Sequence, residues 1–204
     1  MTTLEIDKDY RVTGNESTTW NKFRSAVMFT AAASDTSLPV FANINVVVKP
    51  GSIELQATNR YNLHRVELPA ASGDTFTALI PAKELLAAVK ATKASAWDLK
   101  VDPIAGTWQL YVDHVITQGR TGHDKFPNVN QVWPLPELVE IGEIRFAAEK
   151  LGITINAYAK AYGKNVTTAF KFHGNVRAVE ILPLDSEIDK DIKVQAIVMP
   201  CRIS

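Results

Sequence analysis

The sequence predicts an α+β protein built from three copies of one unit, each a short strand, a helix of about four turns and then several strands. Three observations predict it. Apolar residues recur at helical spacing in three separate stretches, each stretch is followed by segments that alternate apolar and polar residues, and turn residues punctuate the series. The composition agrees, since 46% hydrophobic and 22% charged residues belong to an ordinary globular chain and exclude disordered, collagen-like and coiled-coil classes.

In the first unit a helix is expected over about 18–33 and strands over 43–48, 52–57 and 64–68, with Lys49-Pro50-Gly51-Ser52 as a turn. The second unit opens with a strand over 75–80. Pro81, at a helix start, leads into a helix over 82–95, and strands follow over 97–101, 107–112 and 115–120. The stretch from Phe126-Pro127 to Pro134-Leu135-Pro136 can continue neither a helix nor a central strand, so it marks a module boundary that divides 1–134 from 135–204. Beyond it come a strand over 143–147, a helix over 148–162 ended by Gly163, and strands over 166–172, 177–182 and 193–199.

The helices share a design. The third places Leu151, Ile155, Tyr158 and Tyr162 on one inward stripe and Lys150, Ile153, Ala157, Lys160, Ala161 and Lys164 on the opposite arc. The second turns Leu85, Leu86 and Val89 inward and Lys83, Ala87, Lys90 and Ala94 outward, with Lys93 near the apolar edge. In the first, Trp20, Phe23 and Val27 point inward and Asn21, Lys22 and Ser25 outward. Arg24 lies on the flank, and Met28 and Phe29 interrupt the polar arc. Each helix is net positive although the whole chain has a formal charge of zero. A single lysine-bearing face is an ordinary solvated face. Three alike, with small neighbours, suit attraction to nucleic-acid phosphates without base readout.

The lone cysteine, Cys201, rules out an internal disulfide, and the acidic N-terminal stretch is unlike a signal peptide, so a cytoplasmic protein is expected, with no membrane partner. His64, His114, His123 and His173 show no metal-ligand spacing, and no base neighbours Cys201 in sequence. Asp185 to Asp191 lacks the central Gly and closing Glu of a calcium loop and reads as a solvated hairpin. No phosphate-binding or nucleophile-elbow motif occurs, so neither catalysis nor a cofactor is expected.

Four stretches carry a family resemblance. Leu55-Gln56-Ala57-Thr58-Asn59-Arg60-Tyr61-Asn62-Leu63 resembles a strand and turn of the bacterial DNA polymerase III beta subunit, the sliding clamp. Leu79-Ile80-Pro81-Ala82-Lys83-Glu84-Leu85 resembles that family's entry into a helix, and Phe126-Pro127-Asn128-Val129-Asn130-Gln131-Val132-Trp133-Pro134 its exit from the middle domain. Ala196-Ile197-Val198-Met199-Pro200-Cys201-Arg202-Ile203 is similar to the family's C-terminal end. On this resemblance residues 1–134 correspond to a clamp middle domain of two units, and 135–204 to a single unit of the last domain.

The resemblance implies a DNA-clamp fold with antiparallel sheets outside and helices lining an inner face. It further implies a processivity factor that encircles double-stranded DNA and tethers a DNA polymerase, clamp loader or repair enzymes through a short peptide. The DNA-facing residues would be Lys22, Arg24, Lys83, Lys90, Lys93, Lys150, Lys160 and Lys164. The partner-peptide pocket would comprise Thr58, Arg60, Tyr61, Asn62, Leu63, Pro134, Val198, Met199, Pro200, Cys201, Arg202 and Ile203. Asn59 and Asn62 stand where the family usually has Asp and Arg. A clamp ring carries twelve helices, so three units per chain imply a homotetramer, in a shortened form that suggests a phage origin. The alternative is a clamp-fold adaptor or decoy that forms no ring and binds a host's replication machinery.

Overall fold

Among the described residues, alternating apolar residues build two antiparallel sheets, and three helices cover the inner face of the larger one. The computed structural model describes residues 10–14, 19–133, 144–174, 177–184, 188 and 190–201. The first unit contains β1 (Tyr10–Thr13), α1 (Trp20–Ala31), β2 (Asn43–Lys49), β3 (Ser52–Thr58) and β4 (Asn62–Pro69). The second contains β5 (Phe76–Pro81), α2 (Ala82–Ala91), β6 (Asp98–Asp102), β7 (Thr107–Val112) and β8 (Val115–Arg120). The third contains α3 (Ala148–Tyr162), β9 (Thr168–Lys171), β10 (Val179–Pro183) and β11 (Lys193–Val198). Short 3-10 turns lie at Pro39–Ala42 and Val129–Gln131. The α+β class expected from the sequence is what forms. No helix among the described residues is long and apolar enough to cross a membrane.

The first two units interlock by exchanging leading strands. β5, which opens the second unit, pairs with β2 of the first, while β1 pairs with β6 of the second. One sheet therefore runs β1-β6-β7-β8. The other runs β5-β2-β3-β4 and continues through β11-β10-β9, because β4 pairs antiparallel with β11 from Asn62↔Val198 to Lys193↔Glu67. The third unit thus joins the first within the chain. Directly opposed residues share a face, and the row Val46, Leu55, Val66 and Val194 is buried throughout.

Several sequence expectations need correction. α2 stops at Ala91 instead of Ser95, because Thr92 turns to extended backbone, its hydroxyl donates to Ala88 O at 3.2 Å and its carbonyl accepts from Trp20 Nε1 at 3.3 Å. Within 144–147 the only pairing among the described residues is an isolated bridge, Arg145↔Cys201, where a strand was expected; Glu143 lies outside them. On α3 the buried residues are Thr154, Ala157 and Tyr158. Ala157, expected outward, is buried, whereas Ile155, expected inward, is 36% exposed. The cause is the position of α1, which packs against α3 on one side and α2 on the other and selects the small flank of α3 for close approach.

That central position also explains Phe29. A helix with two helical neighbours needs two apolar flanks: Trp20, Phe23, Val27 and Phe29 are all buried, Trp20 reaching Thr92 O at the end of α2, Phe23 stacking on Trp97 and Phe29 meeting Tyr158 of α3. The Phe29 ring stacks on His64 at 4.4 Å and meets Tyr158 at 4.5 Å.

Candidate functional site

Two surfaces gather the residues singled out in the sequence: a cleft at the joint between the first and third units, and the helical face. The cleft begins at the β3–β4 turn. Asn59 accepts from the N–H of Tyr61 at 3.1 Å and of Asn62 at 2.8 Å through Oδ1, the self-contained turn for which Asn serves as well as Asp. Thr58 Oγ1 donates to Asn62 O at 2.8 Å and accepts from Arg60 N–H at 3.1 Å. This holds Arg60 at φ 77°, left-handed backbone that a non-glycine residue adopts only when its surroundings enforce it.

Against this turn lies the end of β11, where Met199 N–H donates to Tyr61 O at 2.9 Å. Thr58, Arg60, Tyr61, Leu63 and Met199 then line a cleft of about 260 Å³, together with Asn62. Leu63 and Ile197 are buried in a small apolar cluster with Val129 and Ala178, while Tyr61, Val132 and Met199 are exposed at the cleft. Two ion-paired cations stand at its rim: the Arg60 guanidinium lies 6.0 Å from the Phe41 ring centre and 3.2 Å from Asp35, and Lys150 Nζ lies 4.9 Å from the Tyr61 ring and 3.6 Å from Glu149. Asp35 is held below the ordinary carboxylate range, first by hydrogen bonding to Ser37 and less by Arg60.

Phe41, Pro127, Asn128, Val129, Val132 and Ile197 line the cleft without having been assigned to the pocket from the sequence, although all but Phe41 lie in the stretches that carry the resemblance. For Ile197 a signal existed, since strand alternation puts it on the side of Met199 and turns Val198 away. Val198 is accordingly fully buried in the main core, so its side chain belongs to the core and not to the pocket expected for it. Pro200 is half-buried, and Cys201 is exposed with its N–H donating to Arg145 O at 2.7 Å. Pro134, Arg202 and Ile203 lie outside the described residues.

Asn62 has a second role. It is buried, and its Nδ2 donates to Lys150 O at 2.7 Å and to Thr154 Oγ1 at 2.9 Å, fastening β4 to α3. Thr154 also meets His64 Nε2 at 2.9 Å, and His64 Nδ1 lies 2.8 Å from Phe29 O. A carbonyl only accepts, so Nδ1 carries the proton and Nε2 accepts from the Thr154 hydroxyl. Burial pushes the imidazole down to about 4, which keeps it neutral. His64, which shows no metal-ligand spacing in the sequence, braces the joint that carries the cleft through these contacts.

On the helical face Lys83, Lys90 and Lys160 are exposed, Lys22 is half-exposed, and Lys93 and Lys164 are exposed just beyond the ends of α2 and α3. Lys90 and Lys160 flank a groove of about 610 Å³ whose floor includes Met28, Gly152 and Ala157. Arg24 and Lys150 depart from this pattern. Arg24 Nε donates to Val89 O at 3.2 Å, closing a carbonyl left open in the last turn of α2, and the ammonium of Lys150 is turned toward Tyr61 at the cleft. Among the described residues no three His, Cys, Asp or Glu side chains converge as a metal site.

With this geometry, comparison with solved structures gives a consistent result. The DNA polymerase III beta subunit from Thermotoga maritima aligns over 100% of this chain and 68% of its own, with a TM-score of 0.67 at 14% identity. The DNA polymerase sliding clamp from Bacillus subtilis aligns over 100% and 67%, with a TM-score of 0.74 at 11% identity. The fold is that of a DNA sliding clamp. The clamp from Pseudomonas aeruginosa agrees, at a TM-score of 0.71 and 11% identity over 95% of this chain and 67% of its own. The chain therefore spans about two thirds of the clamps it matches. No protein-family profile and no curated protein sequence matches it.

Proposed function

We propose that this chain is a sliding-clamp-type processivity factor. Copies close into a ring around duplex DNA, and the cleft at Tyr61 and Met199 tethers a DNA polymerase, clamp loader or repair enzyme by a short peptide. The observation that carries the reading is that a clamp fold, with its lysines on the helical side, also brings Thr58, Arg60, Tyr61, Leu63 and Met199 from distant parts of the chain to one apolar cleft. The chain is organised as a two-unit module, residues 1–134, followed by a single unit, 135–204. Three helices per chain make a twelve-helix ring from four copies. Lys83, Lys90 and Lys160, with Lys22, Lys93 and Lys164, supply a positive lining that attracts phosphates without base readout and so permits sliding. Arg24 and Lys150 belong to the same face of the sequence but serve the α1–α2 contact and the cleft rim.

Such a protein acts by topology and needs neither catalytic groups nor a cofactor. The cleft suits a peptide with apolar anchors for the Leu63 and Ile197 floor and an acidic group near Arg60 and Lys150. The test is retention on DNA. Copies reassembled in the presence of nicked circular duplex should stay bound in salt that screens phosphate contacts, and a single cut that linearises the circle should release them. Equal retention on both forms, or none on either, overturns the ring. Reversing Lys83, Lys90 and Lys160 to Glu should reduce assembly on DNA and leave the unfolding midpoint unchanged.

A further inference from the structure

The third unit is half of what the first two make together, and the surfaces left uncovered among its described residues mark where a second half would pack. In the first two units each leading strand does two things. Its end bridges the residues just after its own unit's last strand, as Thr13↔Ala71 and Leu79↔Gly122. The strand itself completes the sister unit's sheet, β1 on β6 and β5 on β2. The third unit repeats the first of these in Arg145↔Cys201. For the second, no strand among the described residues pairs with the outer edge of β9.

The burial pattern agrees at each corresponding position. Core-facing Ile44 and Val46 of β2 are fully buried, as is Leu99 of β6. Phe170 of β9 pairs with Ile181 and so lies on the same core face, yet it is 37% exposed; its ring stacks on Phe172 at 6.4 Å. With the first residues of α2 and α3 aligned, Leu85 and Val89 correspond to Leu151 and Ile155. Val89 is fully buried where α2 packs on α1, whereas Ile155 is 36% exposed. Trp20 and Arg24, at the start of α1, reach the carbonyls of Thr92 and Val89 at the end of α2. Sister helices therefore run antiparallel. Ile155 is the middle residue of α3, the place where an antiparallel helix pair crosses its own two-fold axis.

We propose that the third unit is completed by the third unit of a second copy of this chain, α3 packing antiparallel on α3 about a two-fold axis at Ile155, and each copy's segment 144–147 extending the other's β9. Along that segment Ile144 and Phe146 are half-buried and Arg145 and Ala147 exposed, the alternation of a strand. An isologous contact of this kind covers Ile155 and Phe170 on both copies at once and closes an open sheet edge. It deepens the ring reading above, and rests on that reading for the number of copies but not for the contact itself.

The full-length chain tests it. Light scattering on the native protein should give a mass near four times the 22.5 kDa of one chain, and Ile155→Glu should lower it to two chains or one. Because position 155 is a third exposed, the variant should keep its far-ultraviolet spectrum. Ile155→Cys in a Cys201→Ser background should form a disulfide-linked pair on mild oxidation, while Lys83→Cys in the same background should not, so a folding defect in the Glu variant leaves the contact testable. Native mass retained by Ile155→Glu, or no cross-link from Ile155→Cys in an assembling protein, overturns the contact while salt-resistant retention on circular duplex would still support the ring. Assembly through Ile155 without such retention upholds the contact and removes the ring. A native chain that stays monomeric overturns both.

Discussion

The first two units and the third carry the same order of elements and bury them differently. Val89 and Ile155 occupy corresponding places on two helices, and Val46 and Phe170 both face the core from the first strand after a helix, yet of the four Val89 and Val46 alone are sealed. The chemistry of the side chains does not differ in kind. What differs is the covering: α1 packs on α2 at Val89 and β5 pairs with β2 at Val46, whereas among the described residues no strand pairs with the outer edge of β9. Burial in this fold belongs to pairs of units, and a unit counted singly has an unfinished core.

The sharpest way to break the comparison is to truncate one aromatic on each side of it. Phe29→Ala removes a fully buried ring stacked on His64 and Tyr158 and should cost about 3–5 kcal/mol in urea unfolding. Phe170→Ala, at a ring left partly exposed, should cost about 1 kcal/mol or less in a monomer, in proportion to the smaller area removed from water. Equal costs would mean that the third unit is as closed as the others.

Acid should open the joint between the regions. His64 is lowered to about 4 in the folded chain against an ordinary 6.5, so between these values the unfolded chain binds the extra proton and stability rises with pH. The contribution is fully present above pH 6.5 and is lost as pH falls toward 4, about 3 kcal/mol in all. Unfolding midpoints measured across that range should fall more steeply for the native chain than for His64→Gln. A smaller effect is expected from Asn62→Ala, which removes the donor to Lys150 O and Thr154. It should cost about 1–3 kcal/mol and raise hydrogen exchange in α3 more than in α2. Uniform exchange in both helices would show that Asn62 does not fasten the joint.

Much of the fold was legible because its signals are local. The ranges of β7, β8 and α3 follow from alternation, helical spacing and Gly163, and the lysines of α2 stand on the face that the spacing gave them. The errors fall where a second neighbour enters. Phe29 looked like an intruder on a polar arc because periodicity assumes one buried face, and α1 has two. The cleft was half legible. Its turn, its Met199 end and the stretch that carries Val129 and Val132 were marked by a family resemblance, although the pocket residue expected from that stretch was Pro134, whereas Phe41 arrives from a turn whose proximity no local pattern records.

The sequence by itself determined the repeated unit, the positions of its turns and the lysine-rich helix faces, because periodicity and turn chemistry act over a few residues. Only the tertiary structure decided that β4 would pair with β11, that Asn62, His64 and Thr154 would brace one joint, that Lys150 would serve the cleft, and that Ile155 and Phe170 would be left uncovered. These depend on which surfaces meet across long separations in the chain, and a free energy of contact exists only once the chain has brought its two partners together.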